Sequence, residues 1–247
     1  VFMAFFYTSL SLFLSMWIFP NYSSIFMVFL TVISSLYIVQ RVLIVDEKKE
    51  KNTNSEKFLL KEHLKTIKFL SLLFIGFLFA FMFWSIVLPS NTTSSAFSIQ
   101  IAELEKIRAI TTRITASEAF SVILFNNLRV LFLSLLMALF YGAGSVFILA
   151  WNASIIGFVI GNLARNFLGL SSLPHIFLKY FLHGIPEILG YFSAALAGGI
   201  LFVSIIKGDL KEDRAKRTMT DFSIMLIISV LLILIAALIE AYISPLV

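Results

Sequence analysis

Long apolar runs separated by short polar stretches dominate this chain. A helix needs roughly 20 mostly apolar residues to cross the hydrocarbon of a bilayer. Seven runs approach or exceed that length, at about 1–19, 24–44, 67–89, 129–151, 153–168, 175–206 and 222–243. Pro20-Asn21 ends the first, the charges that open at Asp46 end the second, and Pro89-Ser90-Asn91 ends the third. The first run lacks a basic leading segment and a small-residue cleavage site, so it reads as an anchor rather than a removable signal. The fifth is short and holds Asn162 and Arg165. The sixth contains Gly184 and Pro186, and the missing N–H of a proline predicts a kink or break there. The expected fold is all-α: a polytopic transmembrane bundle of about seven helices, the sixth of them broken.

Charge fixes an expected orientation. Asp46–Lys68 carries seven lysines against five acids, and Lys207–Arg217 carries five basic residues against three acids. Lys/Arg excess marks cytoplasmic segments. Four runs lie between the two segments, an even number, so both assignments agree. A cell-membrane protein with its N-terminus in the cytoplasm and its C-terminus outside is expected. Residues 1–66 read as a two-helix hairpin plus charged cytoplasmic linker, and 67–247 as a transmembrane core. Within the outer connection, Phe97, Ile101, Leu104, Ile107, Ile110 and Ile114 recur at helical spacing, which predicts an amphipathic helix. Thr115 and Glu118 fit a capping box, so a new helix should start near Ala116. Ser55–Lys68 is helix-like and should extend the third span into the cytoplasm.

Composition narrows the function classes. Of 247 residues, 60% are hydrophobic and 13% are charged, about half the charge of a soluble domain. A soluble globule, a disordered chain, a collagen-like fibre and a nucleic-acid-binding domain are excluded. With no cysteine, disulfides, thiolate metal sites and cysteine catalysis are excluded too.

Ionisable and amide side chains inside a span are costly and usually face the bundle interior. His175, Lys179, His183 and Glu187 recur every four residues and form one winding stripe, which Gly190 and Ala194 continue with small residues. Topology and depth permit a polar cluster of Asn126, Asn127, Arg129, Asn162, His183, Glu187 and Glu240. Arg129 and Glu187 are expected to pair, because either alone would be a buried charge. Three readings of the cluster stay open: a lock between helices, a ligand or ion site, and a hydrolytic metal site. His183 and Glu187 are spaced to share a metal, but two ligands are too few and no HExxH stands beside them. No catalytic residue, metal site or cofactor is assigned. Gly157 and Gly161 give the fifth run a small face suited to close packing within one subunit or to a dimer seam.

From about Ala116 onward the chain resembles the stage II sporulation protein M family of integral membrane proteins. The resemblance rests on Asn126-Asn127-Leu-Arg-Val130, the Gly142/Gly144 span and Asn152-Ala-Ser-Ile-Ile-Gly157. It also rests on His183-Gly184-Ile-Pro-Glu187 followed by Gly190, and on Ile239-Glu240-Ala241 through Pro245. The resemblance implies a polytopic membrane protein and supplies no established catalytic residue. The namesake acts in spore engulfment, holding peptidoglycan-remodelling enzymes at the septal membrane. The reading that follows is a scaffold or assembly factor in membrane or envelope remodelling. Its expected partners are membrane lipids, a second copy as homodimer, or an envelope or membrane protein, and no nucleic acid. The rival readings are a small-solute or ion permease with a pocket around His183 and Glu187, and an intramembrane metallohydrolase.

Overall fold

The structure is a computed structural model that describes residues 1–50, 56–111, 115–141, 146–165, 173–207 and 212–244. Among them every regular element is helical. In chain order these are α1 (Phe2–Ile18), α2 (Ser23–Glu50), α3 (Glu56–Val87), α4 (Ser90–Ala96), α5 (Ser98–Thr111), α6 (Ala116–Tyr141), α7 (Val146–Leu163), α8 (Leu173–Lys207) and α9 (Glu212–Leu238). A π-helical turn, Ile239–Ile243, closes α9. Six helices are long and apolar enough to cross a membrane: Pro20–Val39, Lys65–Val87, Ala116–Leu139, Val146–Leu163, Tyr180–Phe202 and Ala215–Ile243. By length and composition they suit a multi-pass membrane protein. α1 is a shorter apolar helix of 17 residues, about 25 Å at 1.5 Å per residue.

Two further expectations are corrected. The fourth span is not 129–151: α6 already starts at Ala116 and ends at Tyr141, and α7 starts at Val146. The break between them, Gly142-Ala143-Gly144-Ser145, is only four residues long and lies between apolar runs, so hydropathy alone could not place it. Residues 142–145, between α6 and α7, lie outside the described residues. The sixth helix is not broken either, since α8 runs through Pro186 as one helix of 35 residues. Proline removes one hydrogen bond, and the turns on either side retain theirs.

The start of α6 is the expected capping box. The Thr115 N–H donates to Glu118 Oε2 at 2.8 Å, and the Glu118 N–H donates to Thr115 Oγ1 at 3.4 Å. This reciprocal pair satisfies two amide donors that a helix start leaves bare. Arg165 does the converse for α3. Its guanidinium donates to the carbonyls of Ser85 and Leu88 and to Ser90 Oγ, placing a cation on the negative end of that helix.

Close helix contact depends on small residues. A Cβ on Gly157 of α7 would lie 2.8 Å from the Leu78 carbonyl of α3, and one on Gly161 would overlap Ser85 Oγ. The Gly157/Gly161 face therefore packs inside this chain, against α3. A Cβ on Gly190 would meet Ile233 of α9 at 3.0 Å, and Ala194, one turn further along α8, is fully buried. α1 joins the same core through Ala4, which sits against Gly76 of α3.

The outer connection is part of the core. Phe97 is fully buried, with its ring centroid 5.2 Å from that of Phe158 on α7. Gln100 on α5 is fully buried and joins two other helices. Its Oε1 accepts from Ser24 Oγ of α2 at 2.6 Å, and its Nε2 donates to Ser154 Oγ of α7 at 3.0 Å.

Candidate functional site

Hydrogen bonds and glycine contacts set the register of α6, α8 and α9. Ser134 Oγ on α6 donates to the Tyr191 carbonyl on α8 at 3.3 Å, and Gly198 of α8 lies against Leu135 and Ala138 of α6. Both pairs advance together, so α6 and α8 run parallel. Ser229 Oγ on α9 donates to the Gly190 carbonyl at 2.7 Å, and Ser244 Oγ lies 3.0 Å from His183 Nδ1. These numbers move in opposite directions, so α8 and α9 are antiparallel. Asn127 of α6, Gly184 of α8 and Glu240 of the π-turn thereby come level, at the end of the bundle that also carries α4 and α5.

Asn127, Leu131, Ser134 and Ala138 form the buried face of α6 that rests on α8. Asn127 is 4% exposed, and its Nδ2 has no hydrogen-bond partner. Its Oδ1 accepts a long 3.5 Å bond from Asn126 Nδ2. Glu187 is half-buried, and its Oε1 accepts from Tyr191 Oη at 2.7 Å. Glu240 lies within electrostatic reach of both Glu187 and Tyr191. A π-turn opens the helix by one residue per turn and recurs at functional sites. Here it carries Glu240, and its Tyr242 ring stands 6.3 Å from that of Phe120 on α6. Gly184 is buried, yet a Cβ there would meet nothing within 4 Å, so room exists beside it.

Of the expected cluster, Glu187 and Glu240 lie within electrostatic reach of each other, His183 stands against Ser244, and Asn127 is buried on α6. Arg129 does not join them, and the expected Arg129–Glu187 pair is absent. Arg129 lies near the level of Glu187 but on the outward side of α6, with its guanidinium 5.1 Å above the Phe125 ring. Asn127 and Arg129 are two residues apart, about 200° around a helix, so one faces in when the other faces out. Asn126 is also exposed. Asn162 stands elsewhere, lining a small cavity of about 70 Å³ with Ser85, Ser90 and Arg165. The side chains of His175 and Lys179 lie outside the described residues.

Tyr191, Ser244 and Gln100 were missed in the sequence. Tyr191 follows Glu187 by four residues, the spacing at which side chains meet on a helix, so its signal was available. Ser244 and Gln100 carry no local signal, because their partners are 61 and at least 54 residues away. Among the described residues, no group of three or more His, Asp or Glu side chains is placed to hold a metal ion.

The comparisons with known proteins agree with this architecture. A profile of the family described as "Stage II sporulation protein M" matches residues 69–245, reaching further toward the N-terminus than the motifs alone did. The uncharacterized protein MJ0793 of Methanocaldococcus jannaschii is 34% identical over 129 residues, which cover 51% of this chain and 71% of that protein. No solved structure matches the chain. With the family profile covering well over half its length, the chain belongs to the stage II sporulation protein M family.

Proposed function

We propose that this chain is a membrane assembly factor that seats the transmembrane helix of a partner on the outward face of α6. One observation carries the reading. Arg129 stands near the middle of the Ala116–Leu139 span, exposed, and among the described residues its guanidinium has the Phe125 ring against it and no ion pair. Only 22% of that span is buried inside the bundle, against 56% of the α3 and α7 spans. Val122, Phe125, Asn126, Arg129, Phe132 and Leu133 line the open side. An arginine facing acyl chains at mid-bilayer costs about 3 kcal/mol on insertion scales, and more by other measures. A partner carboxylate at the same depth would remove that cost. A second copy suits the face poorly. Two copies inserted in the same orientation and packed symmetrically bring equal depths together, and Arg129 would meet Arg129.

Orientation follows the lysine-rich segments: 46–68 and 207–217 face the cytoplasm, and the C-terminus lies outside. The partner then belongs to the membrane or envelope, in line with an assembly role and without any chemistry assigned to this chain. Photo-crosslinking from position 132 in native membranes tests the reading. A single heterologous adduct that disappears with Arg129→Leu is expected. Adducts only between copies of the chain, or the same heterologous adduct in Arg129→Leu, would overturn it.

A further inference from the structure

We infer that the small cavity where α3, α4 and the end of α7 meet binds a phosphate group, that of a lipid headgroup or of inorganic phosphate. Ser85, Ser90, Thr93, Ser94, Asn162 and Arg165 form its polar walls, and its volume is about 70 Å³. Liquid water takes about 30 Å³ per molecule, so the space holds roughly two waters or one tetrahedral oxyanion. The apolar spans of α3 and α7 end at Val87 and Leu163. Ser90 and Arg165 follow within three residues of those ends, at the level where hydrocarbon gives way to headgroups.

Charge selects an anion. Among the described residues Arg165 has no carboxylate partner; its guanidinium donates to the carbonyls of Ser85 and Leu88 and to Ser90 Oγ. The carbonyl end of a helix carries about half an elementary charge, so α3 offsets the guanidinium only in part. These bonds use three of its five N–H donors and leave Nε and one hydrogen of Nη2. The hydroxyls narrow the set further. Ser85, Thr93 and Ser94 spend their hydrogens on the carbonyls of Met82, Pro89 and Ser90. Ser90 Oγ accepts from Arg165 at 3.0 Å, and among the described residues its own hydrogen has no acceptor. The cavity therefore keeps two guanidinium N–H groups and one hydroxyl for a ligand. Phosphate carries four oxygens where a carboxylate carries two, and charge-assisted bonds from a guanidinium to such oxygens are strong.

This site and the docking face of α6 rest on different arginines, so each stands if the other fails. The test follows the melting midpoint of the purified full chain in a neutral detergent. In one arm sodium phosphate replaces sodium chloride at constant ionic strength. In the other, phosphatidylglycerol replaces an uncharged, phosphate-free glycolipid in the micelles. A saturable rise in at least one arm is expected, because a ligand that binds only the folded state stabilises it. A rise in the first arm alone identifies the free ion, a rise in the second alone the headgroup, and a rise in both shows that the site takes either. The rise should vanish in Arg165→Gln. Half-saturation should need about tenfold more ligand in Ser90→Ala, which loses one hydrogen bond to a charged group. Arg129→Leu should respond as the unaltered chain does. Phosphate also stabilises proteins by exclusion from their surface, but that effect does not saturate and is blind to these substitutions. Ser90 is exposed, so Ser90→Ala should fold even if Arg165→Gln, which also loses the cap on α3, does not. No saturable rise in either arm, or the same half-saturation in Ser90→Ala as in the unaltered chain, would overturn the inference.

Discussion

Two polar clusters inside this bundle invite comparison. In one, Gln100 ties α2 to α7 through Ser24 and Ser154, and Ser154 in turn donates to the Trp151 carbonyl. In the other, Tyr191 donates to Glu187 one turn away on α8, and Asn127 on α6 keeps a buried amide nitrogen with no partner. Both are buried between helices, where an unmet polar group costs more than in water. The first spreads short, well-made bonds over three helices and has the form of a lock. The second leaves a buried donor unmet, which a lock does not need. Satisfaction of hydrogen bonds, more than the mere presence of polar residues, separates structure from candidate function.

Substitutions can break or sharpen this contrast. The largest loss is expected from Gly157→Leu, whose side chain would drive α3 from α7 at a backbone contact of 2.8 Å. Overpacking of this kind costs roughly 3 kcal/mol or more, and denaturant unfolding in mixed micelles would read it. Gly199→Ala is the control: nothing lies within 4 Å of its Cβ, so stability should hold or rise slightly. Gln100→Ala should cost about 3 kcal/mol in the same assay, since it removes buried volume and leaves the Ser24 hydroxyl without its acceptor. Thr115→Ala should cost about 1 kcal/mol through loss of the α6 cap. Asn127→Leu should change stability least, by less than about 1 kcal/mol, because the amide nitrogen it removes has no partner. If Asn127→Leu proved as damaging as Gln100→Ala, the two clusters would be locks of the same kind and the contrast would fall.

Much of this architecture was legible in the sequence. The apolar runs announced the spans, the small-residue spacing of Gly157 and Gly161 announced a tight helix contact, and Thr115 with Glu118 announced the start of α6. These signals are local and sit within a few residues of what they specify. What failed were statements about direction around a helix and distance along the chain. Arg129 and Glu187 do share a level, as depth suggested, but a shared level says nothing about azimuth. Had the boundary at Ala116 been extended through the whole of α6, Asn127, Leu131, Ser134 and Ala138 would have traced its inward stripe and turned Arg129 outward. The end of α6 was hidden because the break Gly142–Ser145 is only four residues long and the apolar run resumes at Val146. The Ser24–Gln100–Ser154 lock joins positions more than 50 residues apart and had no local signature at all.

The outward face of Arg129 has a direct measurement: association of the purified chain, in bilayers, with a synthetic poly-leucine helix carrying one glutamate at its centre. Energy transfer between labels on the two would report it. Association that disappears when the glutamate is leucine, and again when the chain carries Arg129→Leu, is the predicted result. Equal transfer to the glutamate and leucine helices, or none to either, would contradict the account.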